Sequence, residues 1–301
     1  MLGAIIGDVA GSYYEVLEVN YLKQGKTRPY EERIKILDHN TPLFTENSSC
    51  TDDSILTYSI YDAIKNNDAN YEKYLKKYSE AELDLGTDIY GRSRFGKGFI
   101  AWVKGNYQGN SYGNGASMRI SPVGYLFDTL EAVKEQSRLA TIPSHNHEEA
   151  LRGAECVATS IYLLRNGINK QELKEYIENN YYNLNFNLEA LRHNYKFSSK
   201  TSKSVPQAIF CFLESNDFES TVRNAISIGG DTDTIACIAA SLAEAVYEIP
   251  ENLVERVTPY LREYMKDIPT KNKKLTKGLW YLWKLVFLEV VLILLIKCMS
   301  I

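Results

Sequence analysis

Two apolar stretches with a helical period stand out along this chain, and each opens on an acidic cluster. After Thr51-Asp52-Asp53, positions Ile55, Leu56, Ile60, Ala63 and Ile64 fall on one face at the 3.6-residue period. After Asp231-Thr232-Asp233-Thr234, positions Ile235, Ile238, Ala239, Leu242, Ala243 and Val246 do the same. The pattern predicts two helices whose first turns carry the acids.

The same period extends over 51–85, 129–180, 205–215, 218–247 and 250–266, with Pro143, Gly153 and Gly167 as expected punctuation. Gly3, Gly7 and Gly11 recur every fourth residue, which places them on one helical face and lets another backbone approach closely. The start, Met1 to Asp8, lacks a basic leader and is interrupted by Asp8, so it reads as a first buried helix rather than a secretion signal. Residues 16–50 show no sustained period and read as a long connection with at most a short helix. Residues 86–124 hold nine glycines, which predicts a loop-rich, site-like region. No alternation of strand and helix argues for a parallel sheet, and no repeat or linker marks an internal boundary. The expectation is a mostly α-helical domain over residues 1–270 and a separate tail over 271–301. Within that tail, 278–296 is strongly apolar but carries Lys284 and Glu289, which leaves both a docked helix and a membrane anchor open.

Asp and Thr are favoured at helix N-caps, and acids in a first turn complement the helix dipole, so either cluster alone reads as capping. Capping needs one side-chain oxygen, however, and each cluster offers two carboxylates and a hydroxyl where the chain becomes buried. Buried carboxylates require a cationic partner. Oxygen-only ligands suit Mg²⁺ or Mn²⁺ better than zinc, and the chain has no CxxC or HExxH spacing.

Composition narrows the alternatives. Across 301 residues, 34 basic against 38 acidic side chains leave a net charge of −4, with no basic run dense enough to predict a nucleic-acid partner. Five cysteines without paired spacing predict a reduced, cytoplasmic setting. The run Gly91-Arg-Ser-Arg-Phe-Gly-Lys-Gly98 nearly spells a phosphate-binding P-loop, but Gly98 stands where Ser or Thr must hold Mg²⁺ and no apolar strand precedes it. Residues 109–119, rich in Gly, Ser and Asn, have the composition of an anion-binding loop built from backbone N–H groups. His145 and His147 are candidates for a metal pair, a base, a cap or a ligand contact.

Taken in order, Gly3-Ala4-Ile5-Ile6-Gly7-Asp8, Thr51-Asp52-Asp53-Ser54, Tyr112-Gly113-Asn114-Gly115-Ala116-Ser117-Met118-Arg119, Ser144-His145-Asn146-His147, Gly229-Gly230-Asp231-Thr232-Asp233-Thr234 and Ile249-Pro250 resemble the ADP-ribosylglycohydrolase family. Each motif alone is weak; the ordered set spans about nine-tenths of the chain. The resemblance implies an all-α, compact orthogonal multi-helix domain with two Mg²⁺ or Mn²⁺ ions on the floor of a cleft. It implies metal positions at Thr51, Asp52, Asp53, Asp231, Asp233 and Thr234, and a catalytic or metal-gating Glu15. Ser111, Tyr112, Gly113, Asn114, Gly115 and His145 match ADP-ribose contacts, and Phe95 matches a position near the ligand.

The activity implied is a glycosidase releasing ADP-ribose from an N- or O-linked acceptor, either a protein side chain or a small molecule. Glu15, Asp52 and Asp53 are each candidates to take a proton from the attacking water. A catalytically silent ADP-ribose-binding relative is the alternative. The expected protein is a monomer of the cytoplasm, with possible membrane contact through 278–296. That tail and the segment 198–203 depart from the family's pattern, which bears on location and acceptor choice.

Overall fold

The glycine stripe dictates the centre of the molecule. The computed structural model describes residues 1–269, where α1 (Leu2–Lys23) lies along a later helix so closely that a methyl group built at Gly3, Gly7 or Gly11 would fall 2.6, 2.2 or 2.4 Å from the carbonyl oxygens of Ala240, Ala236 and Thr232. Only a residue without Cβ permits that approach. The partner helix, Thr232–Ala243, is buried at every position, so it is the hydrophobic axle of the fold rather than a one-faced surface helix.

The remaining elements follow in chain order. After α1 come α2 (Tyr30–Arg33) with a 3₁₀ turn, then α3 (Asp52–Lys65), α4 (Tyr71–Asp84), α5 (Lys97–Val103), α6 (Gly115–Met118) and α7 (Ser121–Leu126). The second half contributes α8 (Leu130–His145), α9 (Glu148–Arg165), α10 (Lys170–Asn180), α11 (Leu188–Asn194), α12 (Thr201–Leu213), α13 (Phe218–Ser227), α14 (Thr232–Ala243) and α15 (Glu251–Val257). No strand occurs among the described residues, which contain two isolated bridges, Asn110 with His145 and Gly113 with Lys200. The all-α expectation holds. The apolar segment 278–296 lies outside the described residues, and no helix within them is long and apolar enough to cross a membrane.

Three local expectations are corrected. The first helix does not end near residue 15 but runs to Lys23. Its last turns look aperiodic because Glu18 faces inward, where it is buried and ion-paired with Arg33 at 2.7 Å and Arg28 at 3.6 Å. Pro143 does not stop α8, which continues to His145 and is held there by Asn146 N–H donating to Gly109 O at 2.8 Å. Gly153 sits inside α9, where a methyl group would strike Thr201 Cγ2 at 2.1 Å, so it serves packing against α12. Gly167, at φ +93°, does end a helix as expected.

Candidate functional site

Three helix segments deliver acids to one point. Asp8 comes from the buried face of α1, Thr51-Asp52-Asp53 open α3, and Asp231-Thr232-Asp233-Thr234 open α14. Thr51 does cap α3, accepting from Asp53 N–H, but Asp231 makes no capping bond although it occupies the N-cap of α14. Its Oδ2 instead accepts from Asn114 Nδ2 at 2.7 Å. Capping therefore accounts for one hydroxyl and leaves the carboxylates to be explained.

Carboxylate oxygens of Asp8, Asp53 and Asp233 lie within 4.8 Å of one another, as do those of Glu15, Asp231 and Asp233. The two groups share Asp233. Asp8 is saturated: it accepts from Thr51 N–H at 3.0 Å, Thr51 Oγ1 at 2.6 Å, Ser54 N–H at 3.1 Å and the Ser54 hydroxyl. That grip fixes the start of α3 and draws the Thr51 proton away from the cleft. Asp53 is different, because its Oδ1 is enclosed without a hydrogen-bond partner. An orphaned, buried, anionic oxygen within an all-oxygen donor set is what a hard divalent cation neutralises, so these residues fit such an ion.

The electrostatics agree. Burial, reinforced by neighbouring carboxylates, pushes Glu15 and Asp52 up to about 8, Asp231 up to about 7, and Asp53 and Asp233 well above the usual range. Burial raises Asp8 to about 6, with hydrogen bonds from Ser54 and Thr51 limiting the rise. So many mutually raised acids mark a site that is short of positive charge.

The wall above the floor is built from the glycine-rich region. Every residue expected at the site (Glu15, Thr51, Asp52, Asp53, Phe95, Ser111 to Gly115, His145, Asp231, Asp233 and Thr234) lines a single cleft of about 620 Å³. The Gly-Asn loop is held from outside: Asn114 N–H donates to Ser199 O at 2.9 Å, and Thr201 Oγ1 donates to the carbonyls of Tyr112 at 2.9 Å and Gly113 at 2.8 Å. Gly113 N–H is taken by Ser111 Oγ at 3.1 Å. The N–H groups of Gly113 and Asn114 are thus engaged within the protein rather than presented to an anion. The segment 198–203, set apart in the sequence, buttresses this loop.

His145 is buried with Nδ1 2.8 Å from Ser144 Oγ. Arg119, which can only donate, gives a hydrogen bond to the same Oγ at 2.7 Å. In the tautomer in which Ser144 donates its own proton to Nδ1, the ring proton sits on Nε2, the nitrogen beside Gly113 and Gly115. Burial, with Arg119 nearby, holds the imidazole well below its usual pKa, so a neutral ring lines the cleft. His147 does not join it; its ring caps α9 by accepting from Glu149 N–H at 3.2 Å.

Sequence reading missed Asp8, Asp88, Arg92 and Ser144. Asp8 had a signal, since a lone acid beside the glycine stripe in an apolar helix must be buried. Arg92 had none, because its partners are Glu15, 77 positions away, at 3.1 Å and Asp88 at 2.9 Å.

Fold and site together define an all-helical protein with a carboxylate-floored ligand cleft. The chain belongs to the ADP-ribosylglycohydrolase family, whose sequence model matches residues 1–279. It is 24% identical over 327 residues to the ADP-ribosylhydrolase ARH3 of Mus musculus, covering 84% of each chain. It is 26% identical over 168 residues to the ADP-ribosylarginine hydrolase Tri1 of Pseudomonas putida (strain GB-1), a match over 52% of this chain and 45% of that protein. Among solved structures, an ADP-ribosylglycohydrolase-related protein complex shares the fold at a TM-score of 0.62 and 19% identity, over 84% of this chain and 89% of that one.

Proposed function

We propose that residues 1–270 form a catalytic domain that hydrolyses the glycosidic bond between ADP-ribose and an acceptor on a protein or small molecule, with two Mg²⁺ or Mn²⁺ ions held by the acidic floor. The observation that carries this reading is the two carboxylate groups sharing Asp233, next to the unpartnered Asp53 Oδ1, beneath the Gly-Asn loop. Thr51, Asp52, Asp53, Asp231, Asp233 and Thr234 are the residues that would hold the ions. When bound, divalent ions supply positive charge that orients ribose oxygens and lowers the pKa of a water.

The chain's own groups do the rest. Glu15, Asp52 and Asp53 line the cleft, and one of them would take the water proton. Asp233 is oriented by Thr234 N–H at 2.8 Å, and Asp231 by Asn114. His145 Nε2–H and Ser111 contact ADP-ribose from the wall, and Tyr112 offers a half-exposed ring for base stacking.

Asp233→Asn is expected to lower Mg²⁺-dependent ADP-ribose release by more than the roughly 10–100-fold that loss of an outer metal partner costs. The folded state, followed by circular dichroism, is expected to persist. Full release in excess EDTA would remove the metal role.

A further inference from the structure

The wall beside Glu15 carries its own guanidinium. Arg92 Nη1 donates to Glu15 Oε2 at 3.1 Å, and its Nε donates to Asp88 Oδ2 at 2.9 Å. Asp88 is in turn fixed by the turn that bears both residues: its Oδ1 accepts from the N–H groups of Tyr90 at 2.9 Å and Arg92 at 2.7 Å, and its own N–H donates to Arg92 O at 2.8 Å. Tyr90 Oη pins that turn to Asn47 O at 2.7 Å, just ahead of the first acidic cluster. Two residues past Arg92, Arg94 reaches Gly86 O at 3.0 Å and the buried Glu82 at 3.6 Å. Arg92 is therefore held by a built turn rather than resting on the surface, and Glu15, Asp88 and Arg92 all line the cleft.

We propose that Arg92 is the acceptor-selecting residue of this cleft, and that it favours ADP-ribose linked to a neutral oxygen acceptor over ADP-ribose linked to arginine. The inference rests on the hydrolase reading above. An arginine acceptor brings a substituted guanidinium that stays cationic and needs carboxylates to receive it. Glu15 at the edge of the floor and Asp88 on the wall already hold a guanidinium from the chain itself, so the incoming group meets like charge and filled partners. An oxygen acceptor has the opposite need. As its bond to the anomeric carbon breaks, both electrons pass to the oxygen; water supplies hydroxyl to the carbon, and its proton ends on the departing oxygen. A fixed guanidinium beside that oxygen stabilises the charge that develops before the proton arrives.

Matched peptides carrying serine-linked or arginine-linked ADP-ribose, assayed with Mg²⁺ or Mn²⁺, test this. The wild-type chain is expected to release ADP-ribose from the serine-linked peptide with at least tenfold higher kcat/KM. Arg92→Ala is expected to narrow that ratio at least tenfold, by slowing the serine-linked reaction and quickening the arginine-linked one. Arg92→Lys, which keeps the charge, is expected to retain the wild-type direction of preference, with thermal melts showing both variants folded. Equal turnover of the two peptides by wild type, or an unchanged ratio in Arg92→Ala, overturns the role of Arg92 and leaves the hydrolase reading standing. Release from neither peptide by wild type overturns this inference, and absence of Mg²⁺- or Mn²⁺-dependent release from O-acetyl-ADP-ribose as well overturns the hydrolase reading.

Discussion

The floor of the cleft and its wall are made in opposite ways. The floor is interior: α1 and α14 meet through glycine and alanine backbones, and Asp8, Asp53, Asp231 and Asp233 sit among residues with almost no solvent contact. The wall is a set of turns, 86–96 and 109–115, whose shape comes from side chains gripping backbone: Asp88 on Tyr90 and Arg92, Ser111 on Gly113, Thr201 on Tyr112. A floor so constructed cannot move without unpacking the core, whereas the wall can be rebuilt residue by residue. The proposed function accordingly assigns bond cleavage to the floor, and the proposed role of Arg92 assigns acceptor choice to the wall.

The sharpest way to break this contrast is to add one methyl group to the floor. Gly7→Ala puts Cβ 2.2 Å from Ala236 O, a backbone atom of a wholly buried helix that cannot swing aside. The expected destabilisation is at or above the upper end of the roughly 1–3 kcal/mol typical of overpacked cores. Chemical denaturation reads it directly; a loss under ~0.5 kcal/mol would mean that the two helices are free to separate.

A smaller effect tests the floor's charge. Each raised carboxyl has a folded-state pKa above its unfolded value near 4, so the metal-free folded protein binds more protons than the unfolded chain between about pH 4 and 8. That contribution to stability is complete below the unfolded pKa and is lost as pH rises through the folded values of about 6 for Asp8, 7 for Asp231 and 8 for Glu15 and Asp52. In EDTA, Tm is expected to fall from pH 5 to pH 8. One net unit of raised pKa is worth ~1.4 kcal/mol, or roughly 3–6 °C in a domain of this size. Saturating Mg²⁺ is expected to flatten the slope, since the cation replaces the protons. Parallel curves with and without Mg²⁺ would argue that the acids do not share a cation.

The two regions also differed in how far the sequence disclosed them. Gly3, Gly7 and Gly11, together with the acids opening α3 and α14, are local periodic signals, and the helices that they predict are present. Asp8 lacked a companion in sequence, and its meaning appears only when Thr51 and Ser54 close on it. The continuation of α1 was masked by Glu18, since an inward acid breaks the apolar period until Arg33 and Arg28 supply its counter-charge. In the wall, composition located the region but not its bonds. The Gly-Asn loop was legible as a loop, yet nothing in it announced that Asn114 would turn its amide to Asp231 and Ser204. Pairings that join distant turns leave no period to read.

The mildest perturbation is a methyl group on the wall. A Cβ at Gly115 would stand 3.0 Å from His145 Nε2 and 3.2 Å from Cε1, pressing on the ring that lines the cleft. The ring must yield by a few tenths of an ångström against the Ser144 hydroxyl at its Nδ1. Gly115→Ala is therefore expected to leave the unfolding free energy within the roughly ±0.5 kcal/mol of a neutral substitution. If His145 contacts ADP-ribose as proposed, displacing it is expected to raise KM about tenfold, the lower end of what one methylene costs in a fitted pocket. Since the proposed function gives His145 a binding role and not that of the base, kcat should stay within about threefold of wild type. A fall in kcat with unchanged KM would move His145 from holding the ligand to taking part in bond cleavage, and the division between a reactive floor and a recognising wall would have to be redrawn.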